Sequence, residues 1–218
     1  MKRRIWLTVT AMAALGTGCF YDQWFDLEWD EEVLLHDGRV IVVHLKHSYE
    51  RRSSSFTRYD GLILPRDTTL TLDAGGSIGR VTQLFKGFHP MFLGQYEGEW
   101  YAVLYGGDYY RSRELPGQDW GDLEGPDGQW AIKLVHGKWI PISMSRLPEV
   151  FQQPNMLLLY GTVAEHAEFN GKRLTLKDKQ AWLGEHPLGP ESVRLTRPTA
   201  ASPRRKDSIA QFPQGDKK

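Results

Sequence analysis

The chain has 218 residues, with 27 basic and 27 acidic side chains, seven histidines and a single cysteine. This balance conceals an acidic centre, because three basic residues occupy positions 2–4 and five more lie in the last fifteen positions. An acidic body argues against nucleic-acid binding, which needs a basic surface. A single cysteine excludes an internal disulfide, so packing must stabilise the fold.

The first residues are typical of a bacterial export signal. Basic residues at positions 2–4 precede an apolar run at 5–15, and three small residues at 16–18 lead to Cys19. The run of eleven residues is shorter than the roughly 20 that a helix needs to span a bilayer. A cleaved signal is therefore favoured over a membrane-spanning anchor. One alternative is an ordinary signal peptide, which would leave Cys19 unmodified or remove it.

The segment Leu15-Gly16-Thr17-Gly18-Cys19 resembles the lipobox of bacterial lipoproteins, with Gly16 where that family usually has Leu. This resemblance implies that diacylglycerol is attached to the Cys19 thiol and that the peptide is cut just before this residue. Phe20, rather than Asp, follows the cysteine, which implies sorting to the outer membrane. Two or three acyl chains together make a stable anchor. The rest of the chain resembles uncharacterised proteobacterial lipoproteins, which implies no particular activity.

Four parts are predicted along the chain. They are a signal peptide at 1–18, a lipidated tether with an acidic and aromatic segment at 19–32, a single β-rich domain at 33–197, and a tail at 198–218. The tail is rich in Pro, Ala, Ser and charge, which predicts disorder.

The strongest internal pattern is a turn in which a polar residue precedes glycine. Glycine supplies the positive φ that tight hairpin turns require, and the flanks are rich in β-branched and aromatic residues. The turns are centred near Gly38, Gly98, Gly128, Gly137 and Gly171. The candidate strands are 40–43, 100–105, 130–135, 139–142 and 174–176. The prediction is a mainly β fold, an antiparallel hairpin-rich meander that is barrel-like or a sandwich, with one or two short helices.

Two early segments alternate as half-buried strands do. Within residues 25–33 the odd positions include Phe25, Leu27 and Trp29, and acidic residues fall between them, which predicts a half-buried strand with an acidic outer face. Residues 41–49 continue the pattern, with His44 outside and His47 inside, so the two histidines are not expected to bind one metal ion.

The turn at Asp37-Gly38 raises a register problem. A two-residue turn there would place Glu32 beside Val43, on the apolar face. This conflict indicates a bulge or another register.

Two short helical segments are expected. Thr175 and Asp178 form a capping box, and the helix that follows should end near Gly184. One side of it would carry Leu176, Lys179, Gln180 and Leu183. A second turn is expected at residues 147–152, after a capping Ser145.

The aromatic residues of the middle third are the best binding candidates, because aromatic faces stack on sugars and pack against partner proteins. Trp130 and Trp139 are expected in the core. The candidate binding patch consists of Tyr105, Tyr109, Tyr110 and Trp120.

Other chemistry has weaker support in the sequence. The acidic, glycine-rich loop at 114–127 offers oxygen ligands for calcium, although turn formation is a sufficient reason for these residues. Glu97, Glu99 and Asp108 flank an aromatic strand pair and suggest the paired carboxylates of a glycosidase. No zinc-binding motif or catalytic set emerges from the chain, so neither a metal site nor a catalytic residue is assigned.

The sequence therefore predicts a non-enzymatic lipoprotein of the outer membrane that faces the periplasm. Its expected partners are the membrane, through the acylated N-terminus, and an envelope protein or cell-wall glycan. The alternative is a carboxylate- or metal-dependent hydrolase that acts on an envelope polymer.

Overall fold

The computed structural model describes residues 24–52, 62–106, 128–157, 167–185 and 194–195. These residues form nine strands in two sheets. The strands are β1 (Trp24–Leu34), β2 (Val40–Arg52), β3 (Leu62–Asp73), β4 (Arg80–Lys86), β5 (His89–Tyr96), β6 (Glu99–Tyr105), β7 (Gln129–Val135), β8 (Lys138–Ile142) and β9 (Arg173–Leu174). Helix α1 spans Leu176–Glu185, and a 3-10 turn spans Met144–Arg146.

The two sheets pack as a sandwich and do not close into a barrel. The first sheet has the order β4-β3-β2-β1-β9 and the second the order β5-β6-β7-β8. All neighbours are antiparallel except β1 and β9, which run parallel. The mainly β, hairpin-rich prediction is confirmed.

The glycine turns form as their sequence requires. In the β5–β6 and β7–β8 turns both central residues have positive φ, at Glu97 (51°) and Gly98 (80°), and at His136 (49°) and Gly137 (77°). Positive φ at both positions is the mark of a type I′ turn, whose twist matches that of the flanking strands. Local turn chemistry therefore sets these two hairpins.

The alternation of the first two strands is confirmed. Side chains at odd positions face the core from Leu27 to Val33 in β1 and from Val43 to Tyr49 in β2. The acidic side chains at even positions of β1 face outward, whereas Glu31, at an odd position, is buried. Leu34 pairs with Val40 and Glu32 with Val42, one residue from the register of a simple two-residue turn. This register keeps Glu32 on the outer face and removes the conflict at Asp37-Gly38.

The second sheet is buried on both faces, unlike the first. Its inner face packs on the first sheet through residues such as Trp130, which is buried as predicted, while Trp139 is half-buried against the same cluster. Its other face is covered by residues 144–157 and by Leu195. The segment that covers this face also contributes to the candidate site described below.

Three boundaries differ from the sequence analysis. The start of the domain at residue 33 falls inside β1, so residues 24–32 belong to the sheet and not to a tether. The 3-10 turn lies earlier than the segment expected at 147–152, because Ser143 and not Ser145 accepts the capping hydrogen bond, from the Ser145 amide. Within 147–152 the chain forms a single turn, in which the Phe151 amide donates to the Pro148 carbonyl over 3.1 Å. The strand expected at 174–176 ends at Leu174, because the capping box starts α1 at Leu176.

The predicted signal peptide at 1–18, Cys19 and the predicted tail at 198–218 lie outside the described residues. Within the described ranges, no helix combines the length and the apolar character needed to cross a membrane.

Candidate binding groove

An open groove of about 980 Å³ lies at the end of the sandwich where β1 finishes. One wall is the side of α1 that carries Leu176, Lys179, Gln180 and Leu183. The other parts are residues 150–157, residues 34–36 and Phe92. Binding sites for small ligands have volumes of about 300–1,000 Å³, so this groove has the size of a binding site.

The helical wall begins at the predicted capping box. The Asp178 amide donates to the Thr175 hydroxyl over 3.2 Å, and the Thr175 amide donates to the Asp178 carboxylate over 3.0 Å. The Thr175 hydroxyl also donates to that carboxylate, and these hydrogen bonds lower the pKa of Asp178. The capping box satisfies amides that the first turn leaves unpaired and so fixes where α1 starts.

A buried ion pair holds α1 against β1. The Lys179 ammonium lies 2.9 Å from the carboxylate of Glu31, which has no exposed surface. The same carboxylate accepts a hydrogen bond from the Leu157 amide over 2.7 Å, and Lys179 also donates to the Asn155 carbonyl over 2.6 Å. One buried acid thus joins the helix, the first sheet and the segment at 150–157.

Asn155 connects the two sheets at the floor of the groove. Its amide nitrogen donates to the Leu34 carbonyl over 2.9 Å and to the Leu93 carbonyl over 2.7 Å. Its side-chain oxygen accepts from the Leu93 amide over 2.9 Å. β5 is an edge strand of the second sheet. The Asn155 side chain pairs with it as the backbone of a neighbouring strand would, and so covers part of this sheet edge.

An aromatic cluster supports the wall opposite the helix. The Phe151 ring lies 4.7 Å from that of Phe92 and 5.8 Å from that of Tyr101, between ring centroids. A Cβ atom at Gly94 would lie 2.8 Å from the Phe151 ring, so only glycine lets this ring approach β5 so closely. The wall is rigid because its central ring is packed on several sides.

The groove surface is mainly apolar, with neutral polar side chains among its lining, and the described residues place no acidic side chain on it. Leu34, Val150 and Leu183 are exposed at its edge, at 47%, 45% and 39%. Among the described residues that line it, none is Asp or Glu, and its lysine is paired with Glu31. Apolar side chains of a ligand would bury this surface, whereas a charged ligand would find no partner charge here.

The predicted aromatic patch is only partly within the described structure. Tyr105 ends β6 and is half-buried against the second core cluster. The other three predicted members, Tyr109, Tyr110 and Trp120, lie outside the described residues, as does the predicted calcium loop at 114–127. Tyr105 is not among the residues that line the groove.

Two of the three candidate carboxylates of a hydrolase, Glu97 and Glu99, lie within the described residues. Glu97 is exposed in the β5–β6 turn, and Asp108 lies outside the described residues. Glu99 accepts from the Lys133 ammonium over 2.6 Å and from the Tyr101 hydroxyl over 3.0 Å. These contacts lower the pKa of Glu99, whereas a general acid in a glycosidase has a raised pKa.

Two histidines lie inside the sandwich. The rings of His47 and His89 stack with centroids 4.7 Å apart, and the Thr68 hydroxyl lies 2.6 Å from Nδ1 of His89. His44 lies on the outer face, 3.0 Å from the Asp30 carboxylate, so the prediction of opposite faces is confirmed. The described part of the chain holds no group of three or more His, Cys, Asp or Glu side chains suited to a metal ion.

Comparison with protein-family models, with curated proteins and with solved structures gave no match. The groove is therefore interpreted from its own geometry.

The sequence analysis did not identify the groove, although two signals pointed toward it. Glu31 occupies an odd, core-facing position of β1, and Lys179 lies on the more apolar side of α1. A charged residue at a core-facing position needs a buried partner of opposite charge. Glu31 therefore indicates a buried cation, and Lys179 indicates a buried carboxylate.

Proposed function

We propose that this protein is a lipid-anchored, non-enzymatic binding domain of the bacterial cell envelope, and that the groove binds an apolar segment of a partner protein. The observation that carries this proposal is an open groove with exposed aliphatic side chains at its edge and, among the described residues, no lining carboxylate. The lipobox-like segment ending at Cys19 supports the anchor.

A protein partner suits this surface better than a cell-wall glycan. Sugars are bound by exposed aromatic faces and by many directed hydrogen bonds. Of the aromatic rings that line the groove, Phe92 and Phe151 are 4% and 1% exposed and offer no open face, and His36 is exposed at its rim. Exposed Leu and Val side chains are instead suited to the apolar side chains of a peptide.

The geometry of β1 places the groove away from the proposed anchor. Trp24 begins β1 and Leu34 ends it, so a rise of about 3.3 Å per residue separates the two ends by about 33 Å. Residues 19–23 span at most about 18 Å when fully extended. The backbone of Cys19 therefore lies about 15 Å or more from Leu34, which leaves room for a partner to enter the groove.

Photo-crosslinking in cells tests the binding function. A photoreactive amino acid replaces Leu183 at the groove edge, and the matched control replaces Leu84, which has a similar exposure of 42% and lies on β4. We expect discrete protein adducts from position 183 and none of the same adducts from position 84. The absence of adducts at 183, or identical adducts at both positions, would overturn the proposal.

The anchor has a separate test. We expect a Cys19→Ser variant to lose palmitate labelling and to leave the membrane fraction. A variant that kept both properties would refute lipidation at this residue, without affecting the crosslinking result.

A further inference from the structure

We propose that residues 209–212 of this chain's own C-terminal tail occupy the groove when no partner is bound. The inference rests on the proposed function, because it gives the groove a competing ligand within the same molecule. A partner would then have to displace the tail before it could bind.

The tail leaves the described structure beside the groove. The Leu195 amide donates to the Gln152 carbonyl over 3.1 Å, and Gln152 is a groove residue. Leu195 is 7% exposed and belongs to the same core cluster as Phe151, which forms part of the groove wall. The chain is therefore fixed at this point, and residues 196–218 continue from it.

The tail is long enough for Ile209 and Phe212 to reach the groove from Leu195. Ile209 lies fourteen positions after Leu195, and this length of chain can span up to about 46 Å when extended. A flexible chain of that length has a typical end-to-end distance of about 20 Å. Tethering at this distance gives an effective concentration in the millimolar range, so even weak intrinsic affinity would fill the groove.

The composition of the tail points to one docking segment. Within residues 196–218, Ile209 and Phe212 are the only large apolar side chains, and they lie three positions apart. Their apolar surface matches the exposed edge formed by Leu34, Val150 and Leu183. Every other stretch of the tail would bring mainly polar or charged groups to this surface.

Charge around the groove also favours this occupant. Residues 204–206 of the tail are Arg-Arg-Lys, and Asp207 and Ser208 separate them from the apolar pair. Glu149 precedes the lining residue Val150, Glu185 ends α1, and both are exposed. A basic stretch that approaches these acidic side chains is attracted to them, while the uncharged groove accepts only the apolar pair.

Paramagnetic relaxation enhancement tests the docking in the lipidated mature protein in detergent micelles. A nitroxide is attached to a Ser208→Cys variant, in which Cys19 carries the lipid and residue 208 is the one free thiol. We expect the methyl signals of Leu183 and Val150 to lose more than half their intensity, while those of Leu84 on β4 keep it. Adding Ile209→Ser and Phe212→Ser should restore the groove signals.

The outcomes separate this inference from the proposed function. Groove signals that are unaffected by the nitroxide, or that stay broadened after the Ile209→Ser and Phe212→Ser substitutions, would overturn tail docking, even if Leu183 still crosslinks a partner. Loss of the groove methyl signals in the presence of the nitroxide, without any crosslinked partner at Leu183, would support tail docking and count against the proposed function. Two labels per molecule by mass spectrometry would show that Cys19 is unlipidated.

Discussion

The buried ion pair between Glu31 and Lys179 makes the sharpest prediction, because it joins both walls of the groove to the first sheet. A Lys179→Met substitution keeps most of the side-chain volume and removes the charge. It leaves the Glu31 carboxylate with no exposed surface and without its cation. An uncompensated buried charge is among the most destabilising changes a protein can undergo.

The expected magnitude follows from the contacts that remain. Removing one partner of a buried pair costs about 3–5 kcal/mol. Glu31 would still accept from the Leu157 amide at 2.7 Å and from the Trp29 indole at 3.4 Å, which favours the lower end. A loss of about 3 kcal/mol is a large part of the 5–15 kcal/mol that typically stabilises a domain.

Equilibrium unfolding in urea, followed by tryptophan fluorescence, measures this loss. With a slope of about 2 kcal/mol per molar urea, the midpoint should fall by about 1.5 M. Lys177→Met, at an exposed position of the same helix, is the control and should change stability by less than about 0.5 kcal/mol. The double variant Glu31→Leu/Lys179→Met should lose less than the sum of its single variants. A Lys179→Met loss within 1 kcal/mol of the control, or strict additivity, would refute the reasoning.

Three further predictions concern other parts of the fold. Gly94→Ala should lower the unfolding free energy by about 1–3 kcal/mol, since the new Cβ would lie 2.8 Å from the Phe151 ring; an unchanged urea midpoint would contradict this packing. Burial raises the pKa of Asp26, but the hydrogen bond and the positive charge of Lys46, together with a hydrogen bond from Ser48, outweigh burial. The pKa of Asp26 is therefore lowered from its ordinary value of 3.8. An Asp26→Asn variant should therefore be less stable than the parent at pH 7, by less than about 1 kcal/mol. The difference should disappear as the pH falls through the lowered pKa, and a difference that persisted at about pH 2 would contradict this assignment. Thr175→Ala should cost about 1 kcal/mol and speed amide exchange in the first turn of α1; unchanged exchange there would show that the cap is dispensable.

Short-range patterns predicted most of the local structure. The Glu97-Gly98 and His136-Gly137 turns formed as expected, because positive φ is a property of the residues in the turn itself. The capping box at Thr175 and Asp178 is equally local. The strand alternation was also readable, because successive side chains on a strand face opposite sides whatever lies beside them.

The groove was not predictable in the same way, because its parts come from distant regions of the chain. Asn155 bonds to Leu34, 121 positions earlier, and to Leu93, 62 positions earlier. No local propensity specifies which strand end receives that amide. The register at Asp37-Gly38 was ambiguous for a related reason, since the packing of both sheets selects it rather than the turn alone.

The side of α1 that carries Leu176, Lys179, Gln180 and Leu183 was correctly predicted as one face, but that face lines an open groove rather than closed core. The ion pair explains the difference. Lys179 must reach Glu31, and Trp182 takes the buried core position beside it, which leaves Leu183 39% exposed. A helix held by a buried charge cannot rotate to bury its remaining apolar residues without separating that charge from its partner. The same contact that stabilises the helix therefore keeps the apolar edge of the groove accessible to a ligand.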